Sequence, residues 1–287
     1  MTNTTLISAA EMLALQAAGQ PLVLLDCGFD LADTAAGERA YAAGHLKGAR
    51  HVHLDRDLSG AKTGGNGRHP LPDRASLAAR AGNWGITPDV QVVCYDDQGG
   101  VYAARAWWLL RWLGHGAVAV LNGGRGAWAT AGGALTTDLP APAPAPAPAP
   151  QPPYPTLAPA MPTVDTAALQ ERLDAVTLLD ARAPERFRGE VEPLDPVAGH
   201  IPGAQCRFFR LNLAADGRFK SAEQLRQEFA ALSGPHAQSP VVHQCGSGVT
   251  ACHNLLAMAH AGLEPGALYP GSWSEWCSDP ARPVARG

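Results

Sequence analysis

Short apolar runs alternate with longer segments of helical period along this chain of 287 residues. The runs at 22–25, 90–95 and 117–121, and again at 177–179, 240–244 and 267–269, are built mainly on Leu, Val and Ala. Such short runs, bounded by turn residues, suit strands buried on both faces. Between them, residues 8–18, 76–84 and 102–113 in the first half, and 166–173, 222–232 and 250–261 in the second, carry the spacing of amphipathic helices. Strand and helix in alternation predict an α/β fold with a mainly parallel sheet in each half, flanked by helices. Ligands of such sheets gather at the carboxyl ends of the strands.

From 140 to 155 the pattern stops: Ala and Pro alternate, then Gln151-Pro152-Pro153-Tyr154-Pro155 follows. Proline fixes φ and removes backbone donors, so this stretch is expected to be an extended spacer. It lacks the PxxP-plus-basic pattern of a ligand for proline-binding modules. The expected organisation is a domain over 1–138, a linker over 139–160 and a domain over 161–287. The two parts repeat one another. Leu24-Leu25-Asp26 recurs as Leu178-Leu179-Asp180, and Ala43-Gly44-His45-Leu46-Lys47-Gly48-Ala49 as Ala198-Gly199-His200-Ile201-Pro202-Gly203-Ala204. Val92-Val93-Cys94-Tyr95-Asp96 answers to Val241-Val242-His243-Gln244-Cys245, and Asn122-Gly123-Gly124 before Trp128 answers to Tyr269-Pro270-Gly271 before Trp276. Four anchors in one order predict a tandem duplication.

Composition narrows the field. Apolar residues at 46% and charged ones at 17% describe a globular chain, and a net charge of -4 gives no general pull toward nucleic acid or anionic membranes. No run approaches a membrane span, and the polar start Met1-Thr2-Asn3-Thr4-Thr5 lacks the order of a secretory signal, so a cytoplasmic location is expected. The six cysteines (27, 94, 206, 245, 252, 277) form no CxxC pair, which predicts neither a zinc site nor a disulfide framework, and no cofactor is expected.

Chemistry concentrates at Cys245-Gly246-Ser247-Gly248-Val249-Thr250, which follows an apolar strand and opens a helix. Two glycines let this loop curl and turn its backbone N–H groups inward, and the positive end of the helix adds to the field. A thiol held in that ring is favoured as its anion. The alternative is a buried core cysteine. Cys252 lies two helical turns on, too far for a disulfide, and with Cys277 is expected to be structural. His45 and His200, at matched positions in both halves, suit structural turns, and Trp107, Trp108 and Trp112 suit core packing.

An Asp after an apolar strand, the turn Gly199-His200-Ile201-Pro202-Gly203-Ala204, the Cys245 loop and the closing Gly271-Ser272-Trp273-Ser274-Glu275-Trp276 resemble the two-domain rhodanese-type sulfurtransferases over nearly the whole chain. The resemblance implies two tandem rhodanese-like domains with the active-site cleft between them. The first would be an inactive copy, with Asp96 where the second has Cys245. Within that family the loop is similar to those of 3-mercaptopyruvate sulfurtransferases, whereas thiosulfate-using members typically carry Arg and Lys where Gly246 and Ser247 stand.

The activity implied is transfer of sulfur through a Cys245 persulfide. The donor is a small anion, 3-mercaptopyruvate or alternatively thiosulfate. The acceptor is a thiol, such as thioredoxin or a low-molecular-weight thiol, or cyanide. No nucleic acid or membrane partner is implied. By the resemblance, Ser247, His69 and Asp57 form a proton relay, with Asp55 as a substitute for Asp57. Gly246, Gly248, Val249 and Thr250 line the anion site, and Arg186 holds the substrate carboxylate. The segment from Arg186 to His200 departs from the family pattern: no arginine stands near Asp195 where a second is expected, and Arg188 is the nearby candidate. Two other classes compete. A cysteine phosphatase would need an arginine at the end of the loop, where Ala251 stands, and a non-catalytic rhodanese-fold module would be expected to lack Cys245.

Overall fold

Each alternation of apolar run and helical segment folds into its own α/β unit. The computed structural model describes residues 2–139, 152–155, 157–232 and 239–287. These divide into Met1–Leu58 with Pro72–Ala160, and Ser59–Leu71 with Met161–Gly287. The thirteen residues from Ser59 to Leu71 therefore belong to the second unit although they are numbered within the first half. Most of the expected proline spacer, residues 140–151 and 156, lies outside the described residues.

The first unit runs β1 (Leu6–Ile7), α1 (Ala9–Ala17), β2 (Leu22–Asp26), α2 (Ala36–Ala43), β3 (His45–Leu46), β4 (Ala49–His51), α3 (Arg74–Asn83), β5 (Gln91–Tyr95), α4 (Ala103–Trp112), β6 (Val118–Leu121), α5 (Gly124–Thr130) and β7 (Leu135–Thr136). Five strands make one parallel sheet in the order β1-β6-β5-β2-β4, and β3 pairs antiparallel with β7. Every residue of β5 is buried, which is why its sequence does not alternate. Ser8 caps α1 in a reciprocal box with Glu11, and Asp73 caps α3 through the Ser76 amide. Trp107 and Trp108 are fully buried, and the Trp107 indole donates to the Thr4 carbonyl at 2.8 Å.

The second unit adds α6 (Thr166–Glu171), β8 (Thr177–Asp180), α7 (Pro184–Phe187), β9 (Gln205–Cys206), α8 (Ala222–Leu232), β10 (Val241–Gln244), α9 (Thr250–His260), β11 (Ala267–Leu268) and α10 (Ser272–Trp276). Its sheet is parallel in the order β11-β10-β8-β9. The helix expected over 166–173 stops at Glu171 and tightens into a 3-10 turn over Leu173–Ala175. The core gathers Leu169, Leu178, Ile201, Val242, Tyr269 and the indoles of Trp273 and Trp276.

Register makes the repeat structural. Tyr95 lies opposite Asp26 in the first sheet, as Gln244 lies opposite Asp180 in the second. Asp96 and Cys245 are thus the first residues beyond equivalent strands. The matched histidines behave alike too. His45 Nδ1 bonds the Tyr41 carbonyl at 2.9 Å with its ring stacked on Tyr41, and His200 Nδ1 bonds the Phe187 carbonyl at 2.8 Å with its ring stacked on Phe187. Among the described residues no helix is long and apolar enough to cross a membrane.

Candidate active site

The chain leaves β10 at Gln244, passes through Cys245, and enters α9 at Thr250. Cys245 is 2% exposed, and its Sγ accepts hydrogen bonds from the amides of Gly248 at 3.1 Å and Ser247 at 3.5 Å. A sulfur that gathers two backbone donors sits in the concavity of a curled loop, where negative charge is stabilised. α10 and the turn before it hold that curl from the other side. Ser272 Oγ accepts from the Cys245 amide at 3.1 Å, while the Trp273 and Ser274 amides donate to the carbonyls of Cys245 and Gly246, each at 3.0 Å. Ser272 carries φ +54, the one positive φ outside glycine among the described residues. The left-handed conformation is maintained at the residue that secures the cysteine amide, a placement of strain typical of functional loops.

Gly248 has φ +75, and a Cβ there would stand 2.4 Å from the Pro270 carbonyl oxygen. Neither the conformation nor the space admits a side chain. Gly248→Ala is therefore expected to lose about 1–3 kcal/mol of stability, seen as a lower Tm, together with most sulfur transfer. A variant with wild-type Tm and turnover would refute the account of the loop.

The equivalent loop of the first unit displays the same cradle already filled. Asp96 is 3% exposed, and its carboxylate accepts from the amides of Gln98, Gly100 and Tyr102 at 2.8 Å and of Ala103 at 2.9 Å. Burial pushes its carboxyl above the usual range, and these four amides pull the other way. This loop position in the fold is thus one where the backbone collects an anion.

Ser59–Leu71 contributes the second group of side chains. Gly67 has φ +81, and a Cβ on it would lie 2.8 Å from the Gly271 carbonyl oxygen, so the segment lies backbone against backbone along the turn before α10. The Arg68 amide donates to Ser274 Oγ at 3.0 Å. His69, 4% exposed, then brings Nδ1 to 2.7 Å from Ser247 Oγ, itself 6% exposed. The expected pairing of His69 with Ser247 is thus present, within the second unit. Asp57 belongs to the first unit, where its carboxylate accepts from the His53 amide at 2.7 Å.

Arginines gather beside the same loop. A Cβ placed on Gly246 would meet Arg68 Nη2 at 2.9 Å and Arg186 Nη1 at 3.3 Å. Arg186 is the arginine expected here, and Arg68 joins it without having been expected. The signal of Arg68 in the sequence is its adjacency to His69. Arg188 is not drawn in: it forms a two-pronged, largely exposed pair with Glu190. Asp195 bonds both inward guanidiniums, Arg68 Nη1 at one oxygen and Arg186 Nη2 at 3.3 Å at the other, and Glu192 takes Arg186 Nη2 at 2.7 Å. Burial pushes the Asp195 carboxyl up, with Arg68 opposing. Arg182, also missed, is buried, bonded to Asp180 at 2.7 Å, and within electrostatic reach of Cys245. Burial works against its charge, yet Asp180 and Glu192 leave its pKa raised. Three guanidiniums balanced by three carboxylates give directed donors with little net charge.

The remaining expected positions are structural in what they show. Val249 stands at the N-cap of α9 without a side-chain cap, and Thr250 is the first helical residue. Cys252 Sγ donates to the Gly248 carbonyl at 3.3 Å, bracing the loop from within α9. Burial pushes the Cys277 thiol up to about 11. A cavity of about 730 Å³, lined in part by Val241, Met258 and Leu263, opens where β10 begins, at the opposite end of that strand from Cys245.

Comparison with known proteins places this geometry. The model of the rhodanese-like domain matches residues 8–131 and again 165–279. A Pseudomonas aeruginosa protein named "Probable 3-mercaptopyruvate sulfurtransferase" is 50% identical over 291 residues, covering 100% of both chains. The thiosulfate sulfurtransferase of Bos taurus is 33% identical over 280 residues, covering 93% of this chain and 89% of the relative. Among solved structures, the 3-mercaptopyruvate sulfurtransferase from Leishmania major superposes with a TM-score of 0.81 at 30% identity, over 95% of this chain and 74% of the other. Two matched regions, two equivalent sheets and one loop of each kind lead to the same conclusion: the chain belongs to the rhodanese-like domain family, as a tandem sulfurtransferase member.

Proposed function

We propose that this chain takes a sulfur atom from 3-mercaptopyruvate onto Cys245 and passes it to a thiol, such as a reduced thioredoxin or a small thiol, or to cyanide. The Cys245 thiolate attacks the donor sulfur, forming an S–S bond as the C–S bond breaks. The electron pair of that bond goes to carbon, giving the enolate of pyruvate, which takes a proton to become pyruvate. Cys245 is left as a persulfide, and a second thiolate or cyanide removes the outer sulfur and restores the cysteine thiolate. The amides of Ser247 and Gly248 that meet Sγ support the anionic sulfur in both half-reactions.

The observation that carries the choice of donor is the 2.7 Å contact between His69 Nδ1 and Ser247 Oγ, two residues beyond the nucleophile. A carbanion-like leaving group needs a positioned proton, and a hydroxyl backed by an imidazole supplies one. Sulfite, the leaving group from thiosulfate, needs none. Thiosulfate remains the second reading for a specific reason. The loop itself is neutral, which in sequence argues against a dianion, but Arg68 and Arg186 bring directed N–H donors beside Gly246 from outside it. The deciding experiment is the ratio of kcat/KM for the two donors, with intact-mass detection of one added sulfur on Cys245. A ratio well above one for mercaptopyruvate is expected, and a ratio below one would reassign the donor.

A further inference from the structure

We infer that Arg68 is a specificity-determining residue, the second half of a two-guanidinium clamp that, with Arg186, holds the carboxylate of an oxo-acid donor above Gly246; this rests on the donor proposed above. The two side chains come from separate stretches of the chain, yet a point one bond from the Gly246 Cα lies 2.9 Å from Arg68 Nη2 and 3.3 Å from Arg186 Nη1. Two cations do not converge unaided. Asp195, with a side chain only 4% exposed, accepts Arg68 Nη1 on one oxygen and Arg186 Nη2 on the other, so one carboxylate bridges both and offsets their repulsion. Glu192 fixes Arg186 from the same side through Nε at 3.3 Å and Nη2 at 2.7 Å.

The acids therefore engage one edge of each fork, and the nitrogens nearest Gly246 belong to the other edge. Paired forks suit a planar carboxylate, which accepts along several lone pairs at once. Position fits as well. In a three-carbon 2-oxo-3-thiol acid the sulfur and the carboxylate oxygens are separated by roughly 4–5 Å at ordinary bond lengths. Gly246 directly follows the cysteine that takes the sulfur. A side chain at 246 would occupy the space between the guanidiniums and the loop, which gives the glycine a reason beyond loop curvature. Arg68 also precedes His69, so the residue that grips the acid is covalently next to the one that meets Ser247.

The test compares 3-mercaptopyruvate with mercaptoacetone, which keeps the thiol and the ketone but carries a methyl in place of the carboxylate. Single-turnover loading of Cys245 is followed for wild type, Arg68→Ala and Arg68→Lys. Arg68→Ala is expected to raise the concentration of mercaptopyruvate giving half-maximal loading by about 10- to 100-fold, the loss expected of a charge-assisted contact, with a limiting rate changed only a few-fold. Loading from mercaptoacetone should fall at least tenfold less than loading from mercaptopyruvate, and Arg68→Lys should recover part of the mercaptopyruvate loss. Equal losses on both donors would reduce Arg68 to a prop for His69 and overturn the clamp. Wild-type protein that takes no sulfur from mercaptopyruvate would instead defeat the proposed donor, a result visible before any variant is made.

Discussion

Cys245→Ser protein incubated with either donor is expected to gain no sulfur by intact mass, with turnover lowered by about 10³-fold or more. The substitution is nearly isosteric, and the amides of Ser247 and Gly248 that reach Sγ can still donate to a hydroxyl oxygen, so the loop keeps its curl. What disappears is the chemistry: an alkoxide is far harder to form than a thiolate, and oxygen does not hold a transferable sulfur. A Tm close to wild type makes the loss interpretable as chemistry. Sulfur still arriving on the variant would move the acceptor to another thiol, and Cys252, which faces the Gly248 carbonyl, would be the first to test.

Ser247→Ala is expected to lower kcat/KM for mercaptopyruvate by about 10²- to 10⁴-fold, the usual worth of a positioned proton donor, and thiosulfate turnover by less than about tenfold. His69→Ala should follow the same pattern, because the imidazole acts through the hydroxyl 2.7 Å away. The double variant should then lose little more than either single one, since removing one end of a relay already disables the other. The split between donors is the informative quantity. Equal losses on both would mean that Ser247 shapes the loop and transfers nothing. Burial strengthens the expectation: His69 and Ser247 are 4% and 6% exposed, so bulk water is a poor substitute for the missing hydroxyl.

Much of the frame is legible from periodicity. The helices at Ala222–Leu232 and Thr250–His260 coincide with their apolar patterns, and β5 and β10 with their runs. α2, α5, α7 and α10, with the short strands β1, β3, β4, β7 and β9, escape because one or two turns, or two or three residues, are too short to display a period. Their places are set by the sheets they pack on. Arg68 escapes for another reason: an arginine after Gly64-Gly65-Asn66-Gly67 reads as a solvated loop charge until the Gly67 backbone is seen against Gly271. Arg188 misleads for the converse reason, since it is near Arg186 in sequence but Glu190, two residues on, captures it.

Sequence alone determined the duplication, the alternating layers and the candidate nucleophile, because strand and helix periods, turn glycines and a cysteine between them are local properties that survive without coordinates. Residue periods left open which distant groups meet beside that cysteine, and only the tertiary structure brought Arg68, Asp195 and Glu192 there and left Arg188 outside. Ser247 and His69 are 178 residues apart, and Arg68 and Asp195 are 127 apart. Their pairing depends on the Ser59–Leu71 segment belonging to the second unit, with backbone contact at Gly67 as the physical cause.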